Sequence, residues 1–220
     1  MRKEHHGRIR LGALVLGLSA FLLMLFPLIR PFFPLDVFAS EQTLAAASPA
    51  FASLAWVVSH FLAMLGFLLL QGGMLALYAF HADAEAEPRA FRGLVWGLAG
   101  VALVLPAFGV EAYTMPIIGQ LYLAGASGLA PIIPLTYQGP MTIVLILGLL
   151  FLAVGAFNVA FAIRRSGKLP VWAGFVFATG LALWLPLLPK PVRILDGLLI
   201  GLGGIWLAWS MWRKAQVTGC

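Results

Sequence analysis

The sequence predicts an all-α fold, a polytopic membrane bundle of six transmembrane helices, and three observations carry that prediction. Of the 220 residues 62% are hydrophobic and only 10% charged, with a mean hydropathy of +0.99. Soluble domains keep roughly a quarter of their residues charged. The apolar residues come in uninterrupted blocks, at 11–28, 51–80, 93–110, 141–163, 169–189 and 194–211, each with about the 17 residues or more that cross a ~30 Å hydrocarbon core at ~1.5 Å per residue. The alternating ten-residue segments of a membrane β-barrel are absent, and backbone groups in lipid must otherwise pair within their own helix. The whole chain, 1–220, reads as one integral membrane domain.

The first block follows a basic "MRKEHHGRIR", and "VFASEQ" further on offers a small-residue cleavage site, so a signal peptide has to be weighed. The apolar run of 11–28 is longer than the usual h-region and leads into "FPLIRPFFPLD" before any such site. A retained first helix is the reading adopted.

The second block, which contains "WVVSHFLAMLGFLLLQGGMLALY", holds His60, Gln71 and Tyr78. At about 100° per residue Gln71 lies a net ~20° from His60 and Tyr78 a net ~0°, so all three share one face, with Met64 and Phe67 nearby. Polar side chains inside a membrane generally face protein or a wet cavity, because lipid leaves them unpaired. Two readings stay open. His60 and Gln71 either bond to neighbouring helices and hold the bundle, or His60 titrates and lines a path for a proton or solute.

The third block is followed by Glu111, expected to end that helix where the dipole's negative pole disfavours an anion, and hence to seek a cation or a proton. His60 belongs to the same outer half. Arg30, Lys190 and Arg193 are its other candidate partners. The stretch 111–140 has no basic residue, three tyrosines, and prolines at 116, 131, 134 and 140. Its apolar core, 115–130, is short for a span, so it is expected to form an outer-face cap or re-entrant segment between the third and fourth helices, roofing a cavity to which Gln120 and Tyr137 could contribute.

Later blocks hold fewer polar residues. Asn158, in the fourth, is expected to bond between helices. Asp196, three residues after Arg193 in the first turn of the sixth, has a dipole and an ion pair to hold it in a structural role. "GLVWG" at 93–97 and "GLLIG" at 197–201 place Gly93, Gly97, Gly197 and Gly201 as small-xxx-small pairs, faces for close helix packing and for a homo-oligomer or membrane partner subunit. Trp184, Trp206, Trp209 and Trp212 fit interfacial belts. "VWGLAGVALVLP" at 95–106 and "VWAGFVFATGLALWLP" at 171–186 are a weak duplication.

Basic residues orient the bundle. Eleven of the fourteen Lys and Arg fall in one set of alternate connections, while Arg30, Lys190 and Arg193 fall in the other. The positive-inside rule then puts both termini in the cytoplasm of a cell with this protein in its plasma (inner) membrane. The +6 net charge is a topology signal, and no nucleic-acid partner is implied; the expected partner is the lipid bilayer.

Several chemistries drop out. A lone Cys220 excludes an intrachain disulfide and a cysteine metal site, and His60 alone among four histidines is intramembrane, so no metal and no cofactor are expected. There is no Gly-rich phosphate loop with Lys. "GASG" at 125–128 has the form of the GxSG serine motif of rhomboid proteases, but no histidine follows His81 to serve as base, which leaves Ser127 an ordinary hydroxyl. No catalytic residue is assigned. The function most favoured is a small-solute or proton-linked transporter or channel with an outer-half cavity drawn from His60, Gln71, Tyr78, Glu111, Gln120 and Tyr137. The alternatives are a non-catalytic subunit or assembly factor of a larger complex, and an intramembrane lipid- or quinone-directed enzyme using His60 and Glu111 as acid and base.

Overall fold

The computed structural model describes residues 2–32, 41–82, 85–137, 139–185 and 188–217. All its secondary structure is helical: α1 (Arg2–Ile29), α2 (Glu41–Phe51), α3 (Leu54–His81), α4 (Glu87–Leu123), α5 (Ile132–Tyr137), α6 (Pro140–Ser166), α7 (Val171–Ala182) and α8 (Lys190–Val217). Five of these, α1, α3, α4, α6 and α8, contain stretches long and apolar enough to cross a membrane. Large apolar side chains such as Leu14, Leu18, Phe61, Leu65, Leu68, Ile146, Leu150 and Trp209 point outward. A lipid bilayer is the environment in which that surface is stable.

Six helices close a ring. α1 packs on α3, α3 on α4, α4 on α6, α6 on α7, α7 on α8, and α8 back on α1. The main core fills the ring's centre, from Leu16, Leu23, Phe26, Phe67, Leu70, Leu77, Val104, Leu152, Ile163 and Phe177. Gly167, at φ 63, caps α6 in the left-handed conformation that glycine adopts without a Cβ penalty, and so ends that helix.

Several sequence-based boundaries move. Phe51 ends α2 instead of opening the second span, and α3 begins at Leu54 behind the Ser53 cap, whose hydroxyl accepts from the Trp56 N–H at 3.2 Å. The helix expected over 93–110 runs from Glu87 to Leu123, through Pro106 and Pro116, for 37 residues. That is ~55 Å, well beyond a ~30 Å hydrocarbon core. Glu111 therefore sits inside α4 and does not terminate it, so the dipole argument for its protonation falls. The stretch 111–140 is half helix extension, followed by a turn and the six-residue α5. In the fifth block only α7, 12 residues and ~18 Å, is helical among the described residues. The proposed cleavage site at 37–42 lies largely outside the described residues.

The extension of α4 has its own partner. α2 buries Leu44, Ala47 and Phe51, spaced three and four apart, against Met115 and Ile118 of α4 and Ile133 of α5, and Trp56 completes this small second core. It stands over the end of the ring where α1 finishes and α3 begins.

The glycine faces are consumed within the chain. A Cβ on Gly155 would lie 2.6 Å from the Gly97 backbone nitrogen, and one on Gly100 2.6 Å from that of Leu152, so α4 and α6 touch backbone to backbone. A Cβ on Gly197 would meet Pro27 of α1 at 2.5 Å, and Gly201 faces Met24. Gly93, Gly97, Gly197 and Gly201 thus serve packing between this chain's own helices.

Candidate functional site

The site grows from one turn of α3. Trp56, fully buried, donates its indole N–H to the backbone carbonyl of Glu111 at 2.7 Å, fixing the start of α3 against the middle of α4. One turn later His60, 0% exposed, places Nδ1 2.7 Å from the Trp56 carbonyl and Nε2 2.6 Å from Glu111 Oε2. Ser59 also bonds to the Trp56 carbonyl, at 2.8 Å. The second carboxylate oxygen of Glu111 accepts from the Tyr137 hydroxyl at 3.0 Å. Burial, and then the charge and hydrogen bond of Glu111, hold the Tyr137 hydroxyl well above its ordinary value of 10.0, so the phenol stays a donor.

These distances count protons. A carbonyl oxygen can only accept, so His60 Nδ1 must carry hydrogen. If Nε2 were bare, its lone pair would face a carboxylate lone pair at 2.6 Å, which is a charge-assisted hydrogen-bond length and not a non-bonded one. A hydrogen bond of that length calls for one further proton between Nε2 and Oε2, which would make the pair neutral as a whole, whether written as imidazolium with carboxylate or as imidazole with carboxylic acid.

Around the pair lie Arg30 and Arg193, two of the three basic residues the sequence offers as partners of Glu111. A cavity at the end of the ring axis, with about 20 Å³ for the centre of a water-sized sphere, is lined by Phe26 of α1 and Arg30 just after it, Phe108 and Glu111 of α4, Trp184 after α7, and Arg193 of α8. That is room for one water. Arg30 stacks over Trp56 at 4.5 Å and Arg193 over Trp184 at 5.6 Å. Arg193 Nε lies 3.5 Å from Asp196 Oδ2, an i,i+3 pair with both members buried. The Nε atoms of Arg30 and Arg193 and both Asp196 oxygens have no hydrogen-bond partner among the described residues. The Glu111 side chain keeps 13% exposure, so the cluster is not sealed. Beneath it the axis is filled: Trp184 stacks on Phe26 at 5.3 Å, and Phe67 meets both Trp184 at 5.5 Å and Phe108 at 5.4 Å.

Of the six candidate residues the structure brings three together: His60, Glu111 and Tyr137. Gln71 shares the His60 face but lies ~16 Å further along α3, half-exposed. Tyr78 is ~27 Å away and packs on Phe91 at 5.8 Å. Gln120 is exposed on the extension of α4, ~13 Å beyond Glu111. A shared helical face is a shared direction; it says nothing of depth.

The sequence reading missed Trp56 and Trp184 as members of this cluster, while it offers Arg30 and Arg193 as candidate partners of Glu111. Trp184, assigned to an interfacial belt, is 2% exposed and roofs the aromatic layer. Asn158 does not bond between helices; its amide donates to Val154, one turn back in α6, at 2.8 Å. No family model, curated protein or solved structure matches the chain.

Proposed function

We propose that this chain is a transporter or channel that moves a proton or a small solute across a membrane, with His60, Glu111 and Tyr137 as its proton-holding element. The observation that carries the reading is the 2.6 Å contact between His60 Nε2 and Glu111 Oε2, beside a cavity at one end of a closed ring of helices. Ionisable side chains buried at membrane depth are costly, and they recur along solute paths and proton relays. The Arg30 Nε, without a hydrogen-bond partner among the described residues, and the buried Arg193–Asp196 pair add to that cost. The aromatic layer closes the axis below the cavity, so passage requires that layer to open.

The same reading treats α7 and the residues after it as the sixth crossing. α8 begins beside the end of α1, so the chain must return from the far end of α6 before α8 starts. Both termini then share one side, and the eleven-to-three distribution of basic residues makes it the cytoplasmic side of the plasma (inner) membrane. The small core of α2, α5 and the end of α4 becomes an outer cap. A subunit role loses its main support because the glycine faces are occupied, and a one-water cavity offers a lipid or quinone no room.

Proteoliposomes with a trapped pH dye test the proposal, with chloride, formate, ammonium or glycerol supplied outside and a potassium–valinomycin potential of either sign. At least one condition is expected to move the dye signal faster than in protein-free liposomes, and Glu111→Gln to return it to the protein-free rate. Signals from wild type that match protein-free liposomes under every condition overturn it.

A further inference from the structure

The charges around the cavity do not balance, and their imbalance names a ligand. Arg30 and Arg193, 6% and 3% exposed, both line the cavity. Asp196 faces Arg193 at 3.5 Å and offsets one of them. With a proton between Nε2 and Oε2, Glu111 and His60 together carry no net charge. Among the described residues one positive charge is left, in a buried site whose other walls are Phe26, Phe108, Trp184 and the aliphatic Leu145 and Leu149 of α6. Buried unpaired charge is unfavourable by far more than an ordinary contact can offset.

Two further features point the same way. The Arg30 Nε has no hydrogen-bond partner among the described residues, and the Arg193 Nε has only the Asp196 carboxylate at 3.5 Å, so the cavity offers an unused N–H and positive charge together. The aromatic faces of Trp56 and Trp184 support the two guanidiniums from behind, at 4.5 and 5.6 Å, and hold them in place without consuming a donor. Donors fixed in advance around a space the size of a water are what a small anion requires.

We propose that the cavity between Arg30 and Arg193 binds one small monovalent anion of about the size of a water molecule, a halide being the simplest, and that this binding is coupled to the proton held by His60 and Glu111. The coupling follows from position. Glu111 lines the same cavity, so when the pair loses its proton the carboxylate becomes a fixed anion beside the site and competes with the ligand for the same arginines. When the pair is protonated, that competition ends. By linkage the anion must favour the proton as much as the proton favours the anion. The other groups facing the pair are Tyr137 from α5, which remains a neutral donor, and Arg30, Arg193 and Asp196, whose charges enter the count above. The inference rests on the transport reading and gives it a substrate class: an anion moved together with a proton.

Binding is tested in detergent, apart from transport. Thermal unfolding of the full chain is followed in sodium chloride and sodium bromide against sodium gluconate at matched ionic strength, at pH 6 and pH 8. Chloride and bromide are expected to raise the unfolding temperature and gluconate is not, with tighter apparent binding at the lower pH and proton uptake from a weakly buffered solution on addition of chloride. Arg30→Gln and Arg193→Gln should each weaken the apparent affinity by about tenfold or more. Equal effects of chloride and gluconate on wild type overturn the site, whether or not the variants fold. A halide effect that survives both substitutions overturns its placement, and one without proton uptake overturns the coupling. Halide binding in detergent with no flux in liposomes would leave the site standing and remove the transport reading. Proton flux in liposomes indifferent to halide would do the reverse.

Discussion

His60 is held at both ring nitrogens, by a carbonyl that only accepts and a carboxylate that shares a proton, and that arrangement fixes what each substitution should do. Glu111→Gln keeps the shape, and its amide can donate to a neutral Nε2, so stability should change by no more than about 1 kcal/mol while the shared proton disappears. His60→Leu strands Glu111 with Tyr137 and the arginines, and should cost about 3 kcal/mol. His60→Leu with Glu111→Leu together should recover part of that loss, because no lone partner is left. Unfolding in mixed detergent micelles measures all three, and strictly additive single and double effects would sink the idea of a coupled pair. At this scale the sequence was informative about type and silent about company. A histidine inside an apolar block, and a glutamate at the same end of the bundle, could be named as partners. Arg30 and Arg193 are basic residues at block ends, where topology explains them, and nothing local tells that both turn inward to one cavity.

Elements were legible where periodicity is long and uniform, and failed where a proline or an alanine run interrupts it. α2 carries its signal openly: Leu44, Ala47 and Phe51 are spaced as one helical face, but three alanines in a row make that face small beside the apolar blocks that follow. α4 passes through Pro106 and Pro116 because a proline removes one backbone bond, and the extension still buries Ala112, Met115, Ile118 and Gly119 at helical spacing against α2. Only the tertiary partner makes that extension worth forming. Glycines separate propensity from contact. Gly155→Ala would push a Cβ to 2.6 Å from the Gly97 nitrogen and 2.9 Å from the Gly93 carbonyl, so the α4–α6 contact must open, at about 1–3 kcal/mol. Gly109→Ala in α4 meets nothing within 4 Å and should stabilise by about 0.5–1 kcal/mol through helix propensity. Thermal unfolding of the two variants side by side checks this. An equal gain from both would mean the α4–α6 interface is looser than its backbone distances state.

For the whole molecule, composition alone named the solvent, because an all-helical ring with leucines and phenylalanines on its outside has no stable form in water. What composition does not give is which end faces which compartment, and here the charge bias and the site make one joint statement. Arg8, Arg10, Arg89, Arg92, Arg164, Arg165 and Arg213 lie at the end opposite Arg30, His60 and Arg193, so if positive residues stay inside, the proton-holding cluster faces out. Cys220, the sole cysteine of the chain, reports on this directly. In intact cells or right-side-out vesicles a membrane-impermeant maleimide should leave Cys220 unlabelled until the membrane is permeabilised, and a second variant, Ser127→Cys in the turn after α4 with Cys220→Ser, should label without permeabilisation. The opposite pattern would put the cluster on the cytoplasmic side and reverse the direction in which a proton reaches Glu111. Labelling of both sites from outside would mean an odd number of crossings, and then α7 does not span. Since α8 starts beside α1's end while α6 finishes at the other, that result would also require the ring itself to be redrawn.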